Sequence, residues 1–540
     1  MKLTGAEIVV ACLKEQGVDT VFGYPGGQVI PLYNALYDAP LRNVLTAHEQ
    51  GAIHAADGYA RASGRTGVCI ATSGPGATNI VTGLATAYLD SVPLVAITGQ
   101  VSVANLGRDS FQEIDIVGVT LPITKYNILV RKPEDLLPAL RQAFYLAQEG
   151  RPGPVLVDVP SDLQVGDVEW TEVEPLAQPV METAREEILE AAAVTITNAR
   201  QPVFLVGGGA VHSGAAEEVL RFARKTGMPV VNTLMGIGVF PGSDRQCLGL
   251  TGMHGHIAAN MAVANADVLI VAGSRFSERV TGDRNRYVGK KTIIQLDIDP
   301  SEVDKNVMTA LPLVGDMKEN LNKLSERVKK LDIEHWWHTI KAWDATENRA
   351  AQSGERLTAP WLMKELTRSF KGEDTVFVTD VGQNQMWAAL HLEVDAPRHH
   401  LTSGGCGTMG FGLPAAMGAK FGAPDRTVCF FTGDGGMQMT IQELGTIMQE
   451  KLNVKIIILN NNFLGMVRQW QELFFHERYS NTIMENPDFV AIAKAYGIAS
   501  RAVEKREELD DAIAEMLNHD GAYVLVANVE TCGMVYPMVP

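Results

Sequence analysis

Cysteine is scarce in this chain of 540 residues: six are present, widely spaced, and none forms a CxxC pair. Cys12, Cys69, Cys247, Cys406, Cys429 and Cys532 lie mostly inside apolar runs, so neither a disulfide framework nor a zinc site is expected. Basic residues are outnumbered, 46 Lys and Arg against 63 Asp and Glu, which leaves a net charge of −17. Such a surface repels phosphate backbones and anionic lipid, arguing against a nucleic-acid or membrane partner, although a local basic pocket can still admit a small anion. No apolar run reaches the length needed to span a bilayer. The start, Met1-Lys2-Leu3-Thr4-Gly5, also lacks the apolar segment of a secretion signal. A cytoplasmic location is the expectation.

What is present suits a large core: 46% hydrophobic and 20% charged residues, in a length that predicts about three domains. Short β-branched runs alternate with helical patterns throughout, as in parallel sheets with helices on both faces. The clearest early strands are Val68–Thr72, Pro93–Thr98 and Val155–Val159, followed by a polar linker from Pro160 to about Glu182. A second unit carries strands at Val203–Val206, Val268–Ala272 and Thr292–Asp297, and a Trp- and charge-rich stretch from Ile333 to Leu357 reads as irregular. The third unit opens with a helix from Pro360 and has strands at Val376–Thr379, Val428–Thr432 and Lys455–Leu459. The expected fold is therefore α/β, with three doubly wound parallel-sheet domains over 1–165, 183–335 and 358–540. Val68-Cys69-Ile70-Ala71-Thr72-Ser73-Gly74 resembles Val428-Cys429-Phe430-Phe431-Thr432-Gly433-Asp434. Either the first and third units share one fold, or two buried strands are alike by chance.

Gly433-Asp434-Gly435 closes one buried strand and Asn460-Asn461-Asn462 closes the next. In an open α/β sheet ligands bind beyond the carboxyl ends of the strands, so both loops face one crevice. Asp434 and Asn461 then offer two hard oxygens, and a backbone carbonyl, taken as that of Phe463, with phosphate oxygens would complete the shell of Mg²⁺. Gly433, Gly435 and Gly436 let the backbone approach a diphosphate closely. A bare GDG is usually a turn, but GDG followed at this spacing by NN resembles the thiamine-diphosphate signature.

Thiamine chemistry needs a carboxyl group in an apolar pocket to share a proton with N1′ of the coenzyme's pyrimidine. Glu49, at a predicted strand–helix junction, is the candidate; alone it reads as a helix N-terminal acid stabilised by the macrodipole. Its neighbours change that reading. Tyr24-Pro25-Gly26-Gly27 and Thr72-Ser73-Gly74-Pro75-Gly76-Ala77-Thr78-Asn79 are small-residue turns, and the trio resembles the pyrimidine-binding region of thiamine-diphosphate decarboxylases and carboligases.

Further motifs make the whole chain similar to the catalytic subunits of the acetohydroxyacid synthase family. Gly407-Thr408-Met409-Gly410 looks like the segment that bends the coenzyme, with Met409 between its rings, and Asp380-Val381-Gly382-Gln383-Asn384 resembles the diphosphate-side segment. Phe111, Gln112 and Lys125 match substrate-side residues of the first domain, with Gln112 and Lys125 implied in catalysis. Met253 and Arg279 match the middle domain, and Gly465-Met466-Val467-Arg468-Gln469-Trp470 matches the helix that selects the second ketoacid. The resemblance implies that Arg279 holds the carboxylate of that substrate, that Trp470 contacts its alkyl group, and that Phe111 and Met253 wall the pocket. It also implies FAD without a net redox role, held by Arg151, Gly207, Gly208, Thr233, Leu234, His254, Gly273, Arg275, Arg279, Asp297 and Asp316. Three positions depart from the family: Ser277-Glu278 replaces a pair of aspartates, Asn384 stands for His, and Gly436 stands for Ser.

The implied reaction decarboxylates pyruvate and joins the two-carbon unit to pyruvate or 2-ketobutyrate, giving 2-acetolactate or 2-aceto-2-hydroxybutyrate. A homodimer or homotetramer with the active site between subunits is implied, with a small regulatory subunit as a further partner. A pyruvate oxidase, a simple 2-ketoacid decarboxylase and a catalytically inactive regulatory homologue stay open at this point.

Overall fold

The computed structural model describes residues 2–170, 181–347 and 356–538; residues 171–180 of the expected linker and 348–355 of the Trp-rich stretch lie outside them. Three six-stranded sheets form, and every pairing within them is parallel. Their central strands are runs rich in apolar residues and buried on both faces, because helices cover both sides of each sheet, while edge strands such as Arg42–Leu45 and Tyr126–Leu129 are partly exposed.

The first sheet contains β1 (Thr20–Tyr24), β2 (Arg42–Leu45), β3 (Gly67–Ala71), β4 (Leu94–Gln100), β5 (Tyr126–Leu129) and β6 (Pro154–Pro160), in the order β2-β1-β3-β4-β6-β5. The middle sheet contains β7 (Pro202–Val206), β8 (Val230–Asn232), β9 (Cys247–Leu250), β10 (Val268–Ala272), β11 (Thr292–Asp297) and β12 (Leu311–Val314). Its order, β9-β8-β7-β10-β11-β12, is that of dinucleotide-binding folds, with the switch point between β7 and β10. The third sheet contains β13 (Thr375–Thr379), β14 (His400–Leu401), β15 (Thr427–Gly433), β16 (Val454–Asn460), β17 (Ala499–Val503) and β18 (Tyr523–Asn528), in the order β14-β13-β15-β16-β18-β17. That repeats the first sheet strand for strand. The echo between Val68–Gly74 and Val428–Asp434 falls on β3 and β15, which hold the same central place, so the two units share one fold.

Two helices join these units. Helix α1 (Glu49–Ser63) starts where the His48 ring accepts the Gln50 N–H at 3.0 Å and stops at Gly64, whose φ of 78° suits only glycine without strain. Helix α2 (Gly412–Gly422) lies against it. A Cβ on Gly58 would overlap the Ala415 carbonyl oxygen, and one on Gly418 would overlap that of Ala55, so glycines on both sides permit the approach. As a result the first and third units share one apolar core, including Phe22, Ile53, Leu84, Leu413, Phe430 and Ile456. The middle unit has its own, around Phe204, Phe222, Leu269 and Trp336.

Two expectations are corrected. The stretch after Pro160, expected to be linker, is helical over Ser161–Val165, and Asp167–Glu169 pairs antiparallel with Lys2–Thr4. The stretch from Ile333, expected to be irregular, is helical over Glu334–Glu347. Trp336, Ile340 and Trp343 fall on one helical face, and the buried Trp336 donates its indole N–H to the Pro202 carbonyl at 3.2 Å. Among the described residues no helix is long and apolar enough to cross a membrane.

Candidate active site

The loops after β15 and β16 meet as their sheet positions require. Asp434 is buried, and burial pushes its carboxyl above the ordinary range while three donors pull the other way. Its Oδ2 accepts Asn486 Nδ2 at 2.7 Å and the Asn462 N–H at 2.8 Å; its Oδ1 accepts the Gly435 N–H at 3.0 Å. Asn461 Oδ1 likewise accepts one donor, the Phe463 N–H at 3.1 Å, while its Nδ2 reaches Gln383 Oε1 at 3.4 Å. Two hard oxygens therefore keep a free lone pair each, which fits a cation finished by phosphate oxygens. No group of three His, Cys, Asp or Glu able to hold a metal unaided occurs among the described residues. The Asn384 amide lies between Gly382 and Gly433, and its Oδ1 is buried without a partner, an open valence facing the same place.

Asp380 ties these segments together. It ends β13 fully buried and accepts the Val381 N–H at 2.7 Å, the Gly410 N–H at 2.9 Å and the Thr432 hydroxyl at 3.4 Å. Burial pushes it up to about 7. Gly410, with φ of 86°, holds the bend beside Met409, whose methyl faces Gly435. The departure at Gly436 has a steric reason: a Cβ there would stand 2.7 Å from Asp380 Oδ2.

A cavity of about 860 Å³ opens at the switch point of the middle sheet and runs to the third unit. Of the residues expected around a flavin, Arg151, Gly208, Thr233, Leu234, His254, Gly273, Arg275, Arg279, Asp297 and Asp316 line it. Gly207 lies just behind, packed on the Gly273 carbonyl. The Gly207–Gly209 turn and Gly273, at φ of 65°, approach so closely that side chains would collide, leaving a bare-backbone cradle. His254 Nδ1 is buried without a partner, and burial pushes Asp297 up to about 6. The cradle, the switch point and the volume fit a dinucleotide.

The far end of the same cavity is lined by Val381, Gly382, Gly407, Met466, Met253, Arg279 and Trp470. Here Arg279 Nη1 lies 3.2 Å from Met253 Sδ, and its guanidinium stacks 5.5 Å from the centre of the Trp470 ring. Three positions widely separated in sequence thus converge on one apolar, cationic corner.

Glu49 and Asp434 do not line this cavity. Glu49 belongs to a second gathering at the carboxyl edge of the first sheet. Its Oε2 accepts Asn79 Nδ2 at 3.0 Å, and a Cβ on Gly76 would lie 3.2 Å from its Oε1 and 2.8 Å from Thr72 Cγ2. Thr72 in turn packs on Gly26 and accepts the Gln28 N–H at 3.2 Å; Gln112 covers Gly74. The Tyr24–Gly27 turn, Glu49 and Gln112 are thereby brought together. Phe111, next to Gln112 in the chain, is 83% exposed, and Tyr24 is also exposed. Lys125 is apart from both gatherings: its half-buried ammonium donates to the Glu149 carbonyl, and burial lowers its basicity.

Four residues outside the expected set bear on these sites: Asp380, Asn486, Asn79 and Glu443. A buried acid ending an apolar strand was the available signal for Asp380, and the small-residue turn contained Asn79. Asn486 and Glu443 carry no local signal.

The chain matches the thiamine pyrophosphate enzyme N-terminal TPP binding domain over residues 3–119, the central domain over 189–324 and the C-terminal TPP binding domain over 380–527. It is 45% identical to the acetolactate synthase isozyme 2 large subunit of Escherichia coli, covering 100% of this chain and 98% of that protein. It is 46% identical to the acetolactate synthase large subunit of Corynebacterium glutamicum, over 100% of this chain and 88% of that one. A probable acetolactate synthase large subunit of Methanocaldococcus jannaschii is 44% identical, over 100% and 94%.

Proposed function

Because the chain belongs to the thiamine pyrophosphate enzymes, and within them to the acetolactate synthase large subunits, we propose that it joins pyruvate to a second pyruvate or to 2-ketobutyrate in a site built from two copies of itself. The observation that carries the specificity is the convergence of Arg279, Met253 and Trp470 at the end of the cavity nearest Gly382 and Gly407.

Bound thiamine diphosphate supplies the nucleophilic carbon on which a 2-ketoacid loses carbon dioxide and passes its remaining two carbons on. The residues of this chain do the rest. Glu49, fixed by Asn79, holds a proton at the pyrimidine N1′. Asp434 Oδ1, Asn461 Oδ1 and the Phe463 carbonyl would hold Mg²⁺, and Gly382, Gln383, Asn384, Gly433, Gly435 and Gly436 would leave room for the diphosphate. Met409, the Gly407 carbonyl and Met466 would hold the coenzyme between them. Arg279 presents a planar fork to the carboxylate of the second substrate, and Trp470 with Met253 encloses its alkyl group. FAD would lie in the glycine cradle, packing the middle unit without exchanging electrons.

Glu49 and Asp434 serve different gatherings of one chain, and two copies with the third unit of one facing the first unit of the other would bring both to one coenzyme. Phe111 and Gln112 would then act from that neighbour, whereas Lys125, tied to the Glu149 carbonyl, stays outside that gathering; the exposed Phe111, Leu121 and Ile30 supply apolar surface for the contact. A dimer is the smallest active form; a small regulatory subunit is a further partner, and the cytoplasm the place of action. The expected bounds of 165 and 335 move outward: Asp167–Glu169 pairs with Lys2–Thr4 in the first unit, and the helix Glu334–Glu347 adds Trp336 and Ile340 to the core of the middle one.

Product analysis tests this reading. With pyruvate and 2-ketobutyrate offered together, with and without added Mg²⁺ and FAD, acetolactate and acetohydroxybutyrate are expected. Acetaldehyde, acetate or acetyl phosphate as the main product overturns it.

A further inference from the structure

Glu443 lies on the short 3₁₀ turn Ile441–Glu443, nine residues beyond the proposed metal ligand Asp434 and in a different unit from Glu49. It is fully buried. Its Oε2 accepts the Ala47 N–H at 3.1 Å and the Thr446 hydroxyl at 2.8 Å, and the His48 N–H adds a further backbone bond. Ala47 and His48 immediately precede Glu49, the first residue of α1. Oε1 has no partner, and it occupies the place a Cβ on Gly51 would need.

The chain entering the helix through Ala47 and the cap residue His48 cannot donate along the helix axis, and here the acceptor for the Ala47 N–H comes from a domain 396 residues away in sequence. The carboxyl sits on the Gly51 side of the first turn, two residues on from Glu49. Because residues two apart do not share a helix face, Glu443 supports the turn from behind while the Glu49 side chain points elsewhere. Burying an acid with one oxygen unsatisfied is costly, so a purely structural cap would be better served by a neutral residue.

We propose that Glu443 is a positioning residue for Glu49: it grips the chain at Ala47 and His48 and thereby fixes where the Glu49 carboxyl sits. Gly51 is glycine because this grip needs the space. The inference rests on the assignment of Glu49 as the group that activates the coenzyme.

The test uses E443Q and G51A beside E49Q. Glutamine keeps the shape but turns the unpartnered oxygen, or its neighbour, into an N–H donor with nothing to receive it; alanine at 51 drives a methyl against the same carboxyl. In the cofactor-free protein, amide hydrogen exchange over residues 46–52 should rise in both variants and stay unchanged elsewhere. In the holoenzyme, proton exchange at C2 of thiamine diphosphate should slow by roughly tenfold to a hundredfold, while the half-saturating coenzyme and Mg²⁺ concentrations move by no more than about twofold. Alanine favours helix over glycine, so a change acting through helix stability alone would have G51A protect residues 46–52 rather than expose them. Wild-type C2 exchange in either folded variant, with E49Q slow, overturns the inference and leaves the proposed function standing. Wild-type C2 exchange in E49Q overturns the assignment of Glu49, and this inference with it.

Discussion

Asn486 Nδ2 stands 2.7 Å from Asp434 Oδ2, and the same amide group reaches Asn460 Oδ1 at 2.8 Å and Asn462 Oδ1 at 3.1 Å. One side chain thus aligns the acid after β15 with the asparagine run after β16. Outer groups of this kind set the orientation of the oxygens that meet a cation. Asn486→Ala should raise the Mg²⁺ concentration for half-maximal activity by roughly tenfold to a hundredfold, with little change in melting temperature. Titration of the metal-stripped protein at fixed coenzyme measures it.

Arg279 and Trp470 share one corner through a guanidinium–indole stack, so they should separate kinetically. Arg279→Lys keeps the charge but loses the flat fork, and its KM for the second ketoacid should rise about tenfold or more with formation of the first intermediate unaffected. Trp470→Leu should cut the preference for 2-ketobutyrate over pyruvate by roughly tenfold, the range an ethyl-sized contact supplies. Competition between the two ketoacids reads both.

Asp380 gives a pH test. Its ordinary value of 3.8 is pushed up to about 7 by burial. The folded protein therefore holds this proton more tightly than the unfolded chain, and wild-type stability from this group is full below about pH 4 and falls as pH rises to about 7. Asp380→Asn lacks that decline. The melting temperature of the variant relative to wild type should climb between pH 5 and pH 8; a constant difference would contradict the assignment.

Gly418 and Gly58 offer a test in which two effects oppose. Alanine is the better helix former by about 1 kcal/mol, yet at either site its methyl would strike a facing carbonyl. Gly418→Ala should destabilise by about 1–3 kcal/mol or more, measured by denaturant unfolding, because backbone cannot step aside as a side chain can.

Much of this architecture was legible because strands buried on both faces announce themselves as unbroken β-branched runs. Val268–Ala272 and Thr292–Asp297 fall where the pattern places them, and GDG with NN marks the ends of β15 and β16. The helix at Glu334–Glu347 was hidden because Glu334, His335, Lys341 and Asp344 crowd its open side, leaving the Trp336–Ile340–Trp343 stripe sparse. Glu443 and Asn486 were beyond sequence reading for a different reason: each works through partners chosen by the tertiary fold. The joining of Arg279 to Trp470 was implied by likeness to a family, and no spacing in the chain would have brought it out.

The core shared by the first and third units carries a consequence for synthesis. Ala47 leaves the ribosome long before Glu443, 396 residues later. At roughly 5–20 residues per second that interval is about 20–80 s. Throughout it the side of α1 that carries Ala55 and Gly58 has no α2 to cover it. The nascent chain must carry an open flank while the middle unit, whose core is its own, is free to close. Newly made protein is therefore most exposed to aggregation, and most in need of a chaperone, after its amino-terminal third has emerged and before its last third is complete.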